Sequence, residues 1–590
     1  MADQHLNRRG FIRTGAALAA GLPLLSSCVS SGSNEENTPP NVVLVLTDDQ
    51  GWGDVPRNGN QYLQTPVLDS FAAGGAALER FHVSPVCAPT RAALLTGRYP
   101  WRCGVDGVTR GRETMRLDEV TVADLFGGEG YATACFGKWH NGAHYPYHPN
   151  GRGFDKFLGF CSGHWNNYFD TKLDSNGETV QTEGYIADVL TDGAVSFIEQ
   201  NASSPFFLYL PYNTPHSPFQ VPDEYYDKYL KLTGDPTLAC VYGMVENVDR
   251  NFGRVLDALE RTDVRRNTIV VFITDNGPQT VRFNGGLREW KGSVFDGGTR
   301  VPCYVQWPGR IAPGTSISKP SAHIDMLPTL CAMAGVSAND TRPLDGLNLA
   351  PLLTGKKTDW TDRKIFTGWR NNGAVHTERW ALVVSGDKPP ELYDALADPG
   401  QLNDLAGSQP DVTAELFGAF QAWKVQARAA GLEPPPVPVG YPGRPVTLPG
   451  HEAELSGALT YDGRSGWAND WVQNFTRDGG EATWNIDVVK AGNYKIAVDY
   501  VCPEADLGAI IKVGVAGQEA EAVIAQPHDP PFIPSPDRVE RIEVYEKEWA
   551  TLALGAINLP AGQATLSLSI PTVIKPGGIQ VKAVRIQQAE

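Results

Sequence analysis

The chain has few of the features that mark several protein classes. Its 590 residues include nine cysteines, and no two of them are spaced as Cys-x-x-Cys or as a zinc-ligand pattern. Positive charge is scarce as well, because 50 lysine and arginine residues stand against 67 aspartate and glutamate residues, which leaves a net charge of −17. These shortages exclude a zinc-binding cysteine motif. They also make a nucleic-acid partner unexpected, since phosphate backbones attract basic surfaces.

The composition is otherwise that of a folded protein. Apolar residues make up 42% of the chain and charged residues 20%, which excludes a disordered or collagen-like protein. A chain of 590 residues is too long for one hydrophobic core, so we expect two or more domains. The acidic balance allows an anionic substrate, but the anion site must then be assembled locally from a few cations or a metal ion.

The first 28 residues have the pattern of an export signal. Arg8 and Arg9 precede an apolar stretch over residues 14–25, which is shorter than the roughly 20 residues of a membrane span. Residues 25–28 (LSSC) are similar to a bacterial lipobox, in which Cys28 receives the lipid. A cleaved signal without lipid is the alternative.

These features predict a twin-arginine (Tat) signal with a lipobox over residues 1–28 and a polar tether over residues 29–39. We therefore expect the protein to be exported by the Tat machinery. It would then be a periplasmic or cell-surface lipoprotein of a bacterium, in contact with the membrane only through its N-terminal lipid.

Between residue 41 and about residue 430 the sequence has the rhythm of an α/β fold. Short β-branched runs alternate with glycine-containing loops and helix-like stretches, which predicts a largely parallel sheet. Near-continuous apolar runs predict four strands that are covered on both faces. These runs lie at residues 42–47, 131–136, 206–210 and 268–274.

The character of the sequence changes after about residue 430. A proline-rich linker is expected over residues 431–447. Beyond it, short alternating runs such as residues 482–488, 493–500 and 564–570 are separated by turn signals. This pattern predicts a separate antiparallel β-sandwich over residues 448–590.

Polar side chains follow each of the four predicted strands. They are Asp48, Asp49, Lys138, His140, His216, Asp275 and Asn276. Because ligands of open α/β sheets bind outside the carboxyl ends of the strands, we expect these side chains to converge. One aspartate pair alone would be interpreted as a helix cap or a turn, but two pairs at equivalent strand ends favour a metal site. Three carboxylates and an amide oxygen favour Ca²⁺ or Mg²⁺.

Cys87 is predicted at the N-terminus of a helix. Pro89 suits the first helical turn, and residues 92–95 (AALL) continue it. The backbone N–H groups and the dipole at such a position favour an anion, and Arg91 can fold back from the next turn. A buried structural cysteine is the alternative interpretation.

The pattern Cys-x-Pro-x-Arg over residues 87–91, followed by residues 92–98 (AALLTGR), resembles the formylglycine motif of the type I sulfatases. These arylsulfatase-like enzymes belong to the alkaline phosphatase superfamily. Further blocks similar to those of the family occur in its order, at residues 47–54 (TDDQGWGD), 137–140 (GKWH), 214–218 (TPHSP), 274–277 (TDNG), 290–302 (WKGSVFDGGTRVP) and 391–394 (ELYD). The resemblance covers about residues 40–430.

The resemblance implies an α/β fold with a largely parallel sheet sandwiched by helices, over residues 40–320. A smaller C-terminal α+β subdomain is implied over residues 321–430, before the all-β sandwich. The sandwich itself resembles the non-catalytic, carbohydrate-binding-like modules of bacterial carbohydrate-active enzymes, and residues 466–471 (GWANDW) contribute to that resemblance.

The resemblance also implies a modified nucleophile and a cation. Cys87 would be oxidised to formylglycine by a formylglycine-generating maturation enzyme, and the hydrated aldehyde would attack sulfur. A divalent cation, usually Ca²⁺ in this family, would be bound by the modified residue 87 together with Asp48, Asp49, Asp275 and Asn276.

Further catalytic roles follow from the same resemblance. Arg91 and Lys138 would hold the formylglycine hydrate, and His140 would be its base. Lys291 and His216 would contact the sulfate group. His216 would also act as the general acid for the leaving alcohol.

Four more residues are candidates for substrate binding. His144 and His164 lie in a loop over residues 141–170 that is rich in histidine, asparagine and aromatic residues, which suits sugar hydroxyls and rings. Arg288 and His376 could bind a second anionic group of a polysulfated substrate. A surface loop with local packing and solvated surface charges are the alternative interpretations.

The sequence therefore predicts an exported sulfatase that hydrolyses sulfate esters of sulfated poly- or oligosaccharides. One alternative is a phosphonate or phosphodiester hydrolase of the same superfamily. Another is a surface glycan-binding lipoprotein whose catalytic domain is inert. A hydrolase of a small sulfated metabolite is a further alternative, but export and the appended sandwich favour a carbohydrate chain.

Overall fold

The computed structural model describes residues 38–589, apart from residues 358–359, 361, 464, 477–478 and 574–577. The expected export signal, Cys28 and nearly all of the expected tether lie outside the described residues.

Before residue 430 the described part of the chain contains sixteen strands and ten α-helices, besides short 3-10 helices. The strands are β1 (Asn41–Thr47), β2 (Ala76–Leu78), β3 (Phe81–His82), β4 (Ala132–Lys138), β5 (Lys156–Phe160), β6 (Lys172–Ser175), β7 (Glu178–Gln181), β8 (Phe206–Pro211), β9 (Thr268–Thr274), β10 (Cys303–Gln306), β11 (Thr315–Ile317), β12 (Ser321–Ala322), β13 (Ile365–Trp369), β14 (Asn372–His376), β15 (Trp380–Val384) and β16 (Glu391–Asp394). The helices are α1 (Pro66–Ala73), α2 (Cys87–Thr96), α3 (Val122–Gly128), α4 (Ile186–Asn201), α5 (Asp223–Thr233), α6 (Pro236–Arg261), α7 (Asp296–Thr299), α8 (Met326–Ala334), α9 (Ala350–Leu353) and α10 (Pro410–Ala427).

The central sheet has ten strands in the order β11-β2-β10-β9-β1-β8-β4-β5-β6-β7. The four strands predicted from the apolar runs are β1, β4, β8 and β9, and all four lie in its middle. They run parallel to one another and to β5, while antiparallel strands flank them on both sides. The predicted α/β fold is therefore confirmed. The parallel arrangement brings the carboxyl ends of these strands to one edge of the sheet.

Helices cover both faces of the central sheet, which explains the continuous apolar runs. Along β1, the side chains of Leu44 and Leu46 pack on the face that carries α2, α3 and α8. The alternate residues Val43 and Val45 pack on the opposite face, against α1, α4 and α6. Successive side chains of a strand point to opposite faces, so a strand buried on both sides needs apolar residues at every position.

A second, antiparallel sheet joins β13, β14, β15 and β16 in that order. Helix α10 packs on this sheet, and its residues Leu416, Phe420 and Trp423 share a core with Val375 and Leu382. This sheet and helix form an α+β arrangement, whereas α8 and α9, which lie in the range expected for the same subdomain, pack in the core of the central sheet.

The described residues after residue 430 form twelve strands in two sheets. The strands are β17 (Val437–Val439), β18 (Val446–Pro449), β19 (Glu454–Leu455), β20 (Thr460–Tyr461), β21 (Val472–Gln473), β22 (Ala482–Val488), β23 (Gly492–Val501), β24 (Ile510–Val515), β25 (Gln518–Val523), β26 (Ala550–Leu559), β27 (Gly562–Ser569) and β28 (Gln580–Gln588). One sheet has the order β17-β22-β27-β24-β25, with β19 also paired to β22. The other has the order β20-β21-β28-β23-β26, with β18 also paired to β28. Side chains of both sheets form one core.

The sandwich begins earlier than the sequence suggested. Residues 437–439 lie in the expected linker, yet they form β17 and pair with β22 at the edge of a sheet. An edge strand tolerates Pro438, because a proline without an N–H can sit where no ladder bond is needed.

No helix among the described residues is both long and apolar enough to cross a membrane.

The eight cysteines of the described chain all carry free thiols. All of them are buried except Cys161, which is half-buried.

Candidate active site

Two aspartate-containing pairs lie side by side at the carboxyl edge of the central sheet. Asp48 and Asp49 follow β1, and Asp275 and Asn276 follow β9, because Thr47 and Thr274 are partners in the parallel register. All four side chains are buried. The backbone N–H of Asp49 donates to Asp275 Oδ1 over 3.1 Å, and Asn276 Nδ2 donates to Asp49 Oδ1 over 2.7 Å. The sequence prediction that these residues converge is correct in geometry.

Cys87 joins this cluster from helix α2. It is the first residue of α2, as predicted, and it is buried. Its sulfur lies within 4.8 Å of a carboxylate oxygen of Asp48 and of one of Asp275. Burial raises the pKa of the thiol, although Lys138 and Lys291 oppose this effect. A protonated thiol is a weak nucleophile, so these surroundings do not suit thiolate catalysis.

Arg91 connects the helix to the two strand ends. It lies one turn beyond Cys87 and is completely buried. Its guanidinium donates to Asp275 Oδ2 over 2.8 and 3.2 Å and to the Lys138 carbonyl over 2.7 Å. It also lies 3.4 Å from Asp48 Oδ2. One guanidinium therefore fixes α2, β4 and β9 relative to one another.

Two lysines complete the set of cations. Lys138, the last residue of β4, places its Nζ 2.5 Å from Asp48 Oδ2. Lys291, from the loop before α7, places its Nζ 2.7 and 2.8 Å from the two carboxylate oxygens of Asp49. Three carboxylates are thus matched by Arg91 and these two lysines.

Burial and neighbouring charges shift the pKa values of two carboxyl groups in the cluster. Two of its buried oxygen atoms also lack a hydrogen-bond partner within the described residues. Burial and the neighbouring Asp48 raise the pKa of Asp275 to about 7, although Arg91 opposes them. Burial would also raise the pKa of Asp48, but the charges of Lys138, His216 and Arg91 lower it below its usual value. Within the described residues, Asp48 Oδ1 and Asn276 Oδ1 are buried and have no hydrogen-bond partner. An oxygen-coordinated cation would satisfy both atoms.

His216 and His140 flank the cluster. The Nδ1 of His216 lies 2.6 Å from the Ser217 carbonyl and donates to it, because a carbonyl oxygen can only accept. The other ring nitrogen, Nε2, faces Asp49 Oδ2 at 3.6 Å. The Nε2 of His140 donates to the Val108 carbonyl over 2.9 Å. Burial lowers the pKa of both imidazoles. In each ring a backbone carbonyl fixes which nitrogen is a donor, and the other nitrogen is left for the cluster.

The cluster opens to solvent on the side of His216 and Lys291. The His216 side chain is 11% exposed and that of Lys291 18%, whereas the side chains of Asp48, Arg91 and Asp275 are completely buried. The histidine and the lysine are therefore more accessible to solvent than these three side chains.

Sequence reasoning missed a buried ion pair that supports the site. Arg282 donates to both carboxylate oxygens of Asp54, with a shortest distance of 2.6 Å, and to the Asp49 carbonyl over 2.8 Å. Asp54 belongs to the block at residues 47–54, so the family pattern contained a signal for it. Arg282 gave none, because 228 residues separate it from its partner.

The predicted substrate residues are not all brought together. His164 lies nearly parallel to His216, with 6.3 Å between ring centroids, and its Nε2 is buried without a hydrogen-bond partner in the described part of the chain. His144 and His140 line one cleft of about 2310 Å³. Arg288 lies elsewhere, bound to Glu391 and to the Tyr393 hydroxyl.

The structure contradicts the expected role of His376 in substrate binding. Its side chain is buried, its Nε2 lies 2.9 Å from Asp296 Oδ1, and its ring stacks on His82 at 3.9 Å. Because neither the ring nor this nitrogen is open to solvent, His376 cannot reach a dissolved ligand. It packs β14 against the α/β part instead.

The fold and the site together define the class of the protein. It is an α/β enzyme with an alkaline-phosphatase-like architecture, whose candidate site lies where parallel strands and the N-terminus of a buried helix meet. The Sulfatase family model matches residues 40–336, and the model of the C-terminal region of N-sulphoglucosamine sulphohydrolase matches residues 290–422. The chain belongs to the sulfatase family and is a sulfuric ester hydrolase.

Several known sulfatases are similar to the chain. Bovine (Bos taurus) arylsulfatase A is 32% identical over 69% of this chain and 88% of its own. Mouse (Mus musculus) N-acetylgalactosamine-6-sulfatase is 32% identical over 56% of this chain and 68% of its own. The crystal structure of Ps i-CgsB in complex with k-i-k-neocarrahexaose has a TM-score of 0.63 and 31% identity, and it covers 65% of this chain and 93% of its own.

We expect Arg282→Lys to impair the site while the protein still folds. Lysine keeps the charge but cannot pair with both Asp54 oxygens and also reach the Asp49 carbonyl. The value of kcat/KM on an aryl sulfate should fall by about tenfold, which corresponds to a loss of about 1.4 kcal/mol in transition-state stabilisation.

The measurement is steady-state kinetics together with thermal unfolding. Arg266→Lys is the matched control, because Arg266 is an exposed arginine just before β9. Unchanged kinetics in Arg282→Lys would show that the ion pair does not support Asp49.

Proposed function

We propose that the protein is an exported sulfatase that hydrolyses sulfate esters of sulfated poly- or oligosaccharides, with residue 87 in its formylglycine form and with a divalent cation. The observation that carries this proposal is the position of Cys87. It begins a buried helix and lies within 4.8 Å of carboxylate oxygens of Asp48 and Asp275. As formylglycine hydrate, residue 87 would supply a hydroxyl nucleophile and then release sulfate by returning to the aldehyde.

The donor atoms of the cluster fit Ca²⁺, with Mg²⁺ as the alternative. Asp48, Asp49, Asp275 and Asn276 supply hard oxygen ligands, and two of these oxygens have no hydrogen bond within the described residues. The cation would supply Lewis-acid polarisation and charge stabilisation at the sulfuryl oxygens.

The charge balance supports an anionic ester as the substrate. Three carboxylates and three basic side chains cancel, so a bound dication would leave the buried site with a charge of about +2. The negative charge of a sulfate ester would be favourable there. Lys291 would bind this group at the open side, and Arg91 and Lys138 would hold residue 87.

The two histidines have separate proposed roles. The Nε2 of His216 faces the cluster from the open side, where a leaving alcohol would depart, so we assign the doubly protonated imidazole as the general acid, with Nε2 giving the proton. His140 approaches from the side of β4, and its buried Nδ1 has no partner among the residues described. We assign it as the base that activates the nucleophile.

Carbohydrate is the proposed substrate class because of the relatives. Ps i-CgsB was solved with k-i-k-neocarrahexaose, and a curated relative is an N-acetylgalactosamine-6-sulfatase. The cleft of about 2310 Å³ beside His140 is large enough for several sugar units. Arg8, Arg9 and Cys28 support Tat export and lipid attachment as the route by which the enzyme would meet an external polysaccharide.

The first test is the chemical state of residue 87. We expect the full chain, produced together with a formylglycine-generating enzyme, to give a peptide mass for the aldehyde or its hydrate at this position. This protein should hydrolyse p-nitrophenyl sulfate, and Cys87→Ala should lower kcat by about a thousandfold or more.

The controls separate the alternatives. Cys331→Ala, at another buried thiol, should keep the activity. Faster hydrolysis of matched phosphate or phosphonate esters would favour the phosphonate hydrolase alternative. A matured residue 87 with sugar binding and no turnover of any ester would favour an inert glycan-binding protein.

A second test concerns the cation. Ca²⁺ added to metal-stripped protein at about a hundred times its Kd should stabilise the folded state by about 2.7 kcal/mol, because it relieves the repulsion among the buried carboxylates. Thermal unfolding measures this shift, with Mg²⁺ as the comparison ion.

Asn276→Ala should lose most of the Ca²⁺-induced shift, because it removes a ligand oxygen without removing a charge. Asn339→Ala, at an exposed asparagine, is the matched control. If the Ca²⁺-induced shift in thermal unfolding is as large in Asn276→Ala as in Asn339→Ala, the ion binds elsewhere.

A further inference from the structure

The C-terminal sandwich is in direct contact with the loops that carry the active-site residues. Gln220, in the loop after His216, donates to Ser535 and Asp537 over 2.8 Å. Asn166, in the loop that contains His164, donates to Glu546 over 3.1 Å. These three sandwich residues belong to residues 533–549, a segment between β25 and β26 that we call the β25–β26 segment.

Two further contacts hold the same loop. Asn469 of the sandwich donates to the His164 carbonyl over 2.9 Å. Buried Arg541 donates to the Asn166 carbonyl over 2.8 Å. The loop over residues 141–170 is therefore held between the central sheet and the sandwich.

The cleft of about 2310 Å³ lies along this contact. His140 is the residue of the catalytic site that lines the cleft, and one wall is formed by the loop over residues 141–170 and by β6 and β7. The other wall is formed by the β25–β26 segment and by β23, β26 and β28 of the sandwich. The family models end at residue 422, so this second wall lies outside the sulfatase match.

The sandwich wall carries groups that suit a sulfated sugar chain. Trp549 lies in it half-buried, and Lys582 Nζ lies 5.4 Å from its ring centroid. Lys582 is paired with Glu546, whereas Lys495 and Lys547 have no ion-pair partner in the described part of the chain. Aromatic rings stack on sugars, and unpaired ammonium groups attract sulfate.

We propose that the sandwich wall is a substrate-binding subsite, which holds the sugars of a sulfated glycan beyond the one whose sulfate ester is cleaved. This inference rests on the proposed carbohydrate substrate. It makes the sandwich part of the catalytic site rather than an independent binding module. The consequence is that affinity rises with the length of the glycan until the wall is filled.

The test measures binding of carrageenan and chondroitin sulfate oligosaccharides of two, four and six sugars to the full chain carrying Cys87→Ala, by calorimetry. For at least one series, the Kd should fall with length. The double change Lys495→Gln with Lys547→Gln should weaken hexasaccharide binding by about tenfold and disaccharide binding by much less.

Lys490→Gln is the matched control, because Lys490 is an exposed sandwich lysine outside the cleft. The inference is overturned if no series binds, if affinity does not grow with length, or if the control weakens binding as much as the double change. Hydrolysis of p-nitrophenyl sulfate by the unaltered enzyme is measured separately, so a failure of the proposed function is distinguished from a failure of the subsite.

A second inference comes from a different contact, between Glu543 of the β25–β26 segment and Ser217. The Ser217 hydroxyl donates to Glu543 Oε1, and Gln279 Nε2 donates to the same hydroxyl over 2.8 Å. The Ser217 carbonyl in turn accepts from His216 Nδ1 over 2.6 Å and from the Tyr168 hydroxyl over 2.9 Å. Glu543 is only 5% exposed.

The geometry assigns Glu543 as a positioning residue that acts on His216 through Ser217. It fixes the serine whose carbonyl accepts from His216 Nδ1, and this hydrogen bond aims Nε2 at the catalytic cluster. The sandwich therefore contributes to catalysis itself as well as to substrate binding.

The test is a double-mutant cycle on p-nitrophenyl sulfate. Glu543→Ala and Ser217→Ala should each lower kcat by about tenfold with little change in KM, and the double variant should lose no more than the worse single variant. Glu543→Gln should recover most of kcat, since its amide oxygen still accepts from the serine.

Glu540→Ala is the control, at an exposed carboxylate on the same segment. The assignment is overturned if Glu543→Ala keeps full kcat, if the two losses multiply, or if Glu543→Gln is as impaired as Glu543→Ala. If Glu543→Ala fails to fold, Ser217→Ala still tests the contact, because it removes the hydroxyl that donates to Glu543.

Discussion

The burial of three carboxylates in one place is the constraint on which the rest of the active site depends. Asp48, Asp49 and Asp275 are taken out of water together, and their repulsion must be offset by charges of the opposite sign. Arg91 and the two lysines supply these charges, each from a different element. The site therefore exists only when α2, β4 and the loop before α7 are all in place, which ties the chemistry to the whole α/β fold.

The parallel sheet provides the means of meeting this constraint. Strand ends that share one edge bring polar groups from distant parts of the chain to a single point. The buried helix α2 contributes Cys87 to the same point. The close approach of β4 and β8 is part of the same arrangement. A Cβ atom at Gly137 would lie 1.9 Å from the Pro211 carbonyl, so only glycine allows Lys138 to follow at this position.

The sandwich changes how the sulfatase core is understood. The matched family models end before it, yet its β25–β26 segment contacts both loops that frame the catalytic cluster. A module joined by a flexible linker would leave those loops unchanged when it moved. Here β17 already pairs inside the expected linker, so the sandwich is joined to the core by short, structured chain and shares a cleft with it.

Local patterns in the sequence determined the four central strands, the helix that begins at Cys87, and the acidic pairs behind β1 and β9, because each follows from residues that are neighbours in the chain. Tertiary structure alone decided the rest. Arg282 meets Asp54 across 228 residues and Ser217 meets Glu543 across 326, and no local pattern records such pairings. His376 looked like a polar ligand in the sequence, but the folded chain buries it against Asp296 and His82. The physical reason is that periodicity and capping act over a few residues, whereas burial and charge pairing are settled only when the whole chain has packed.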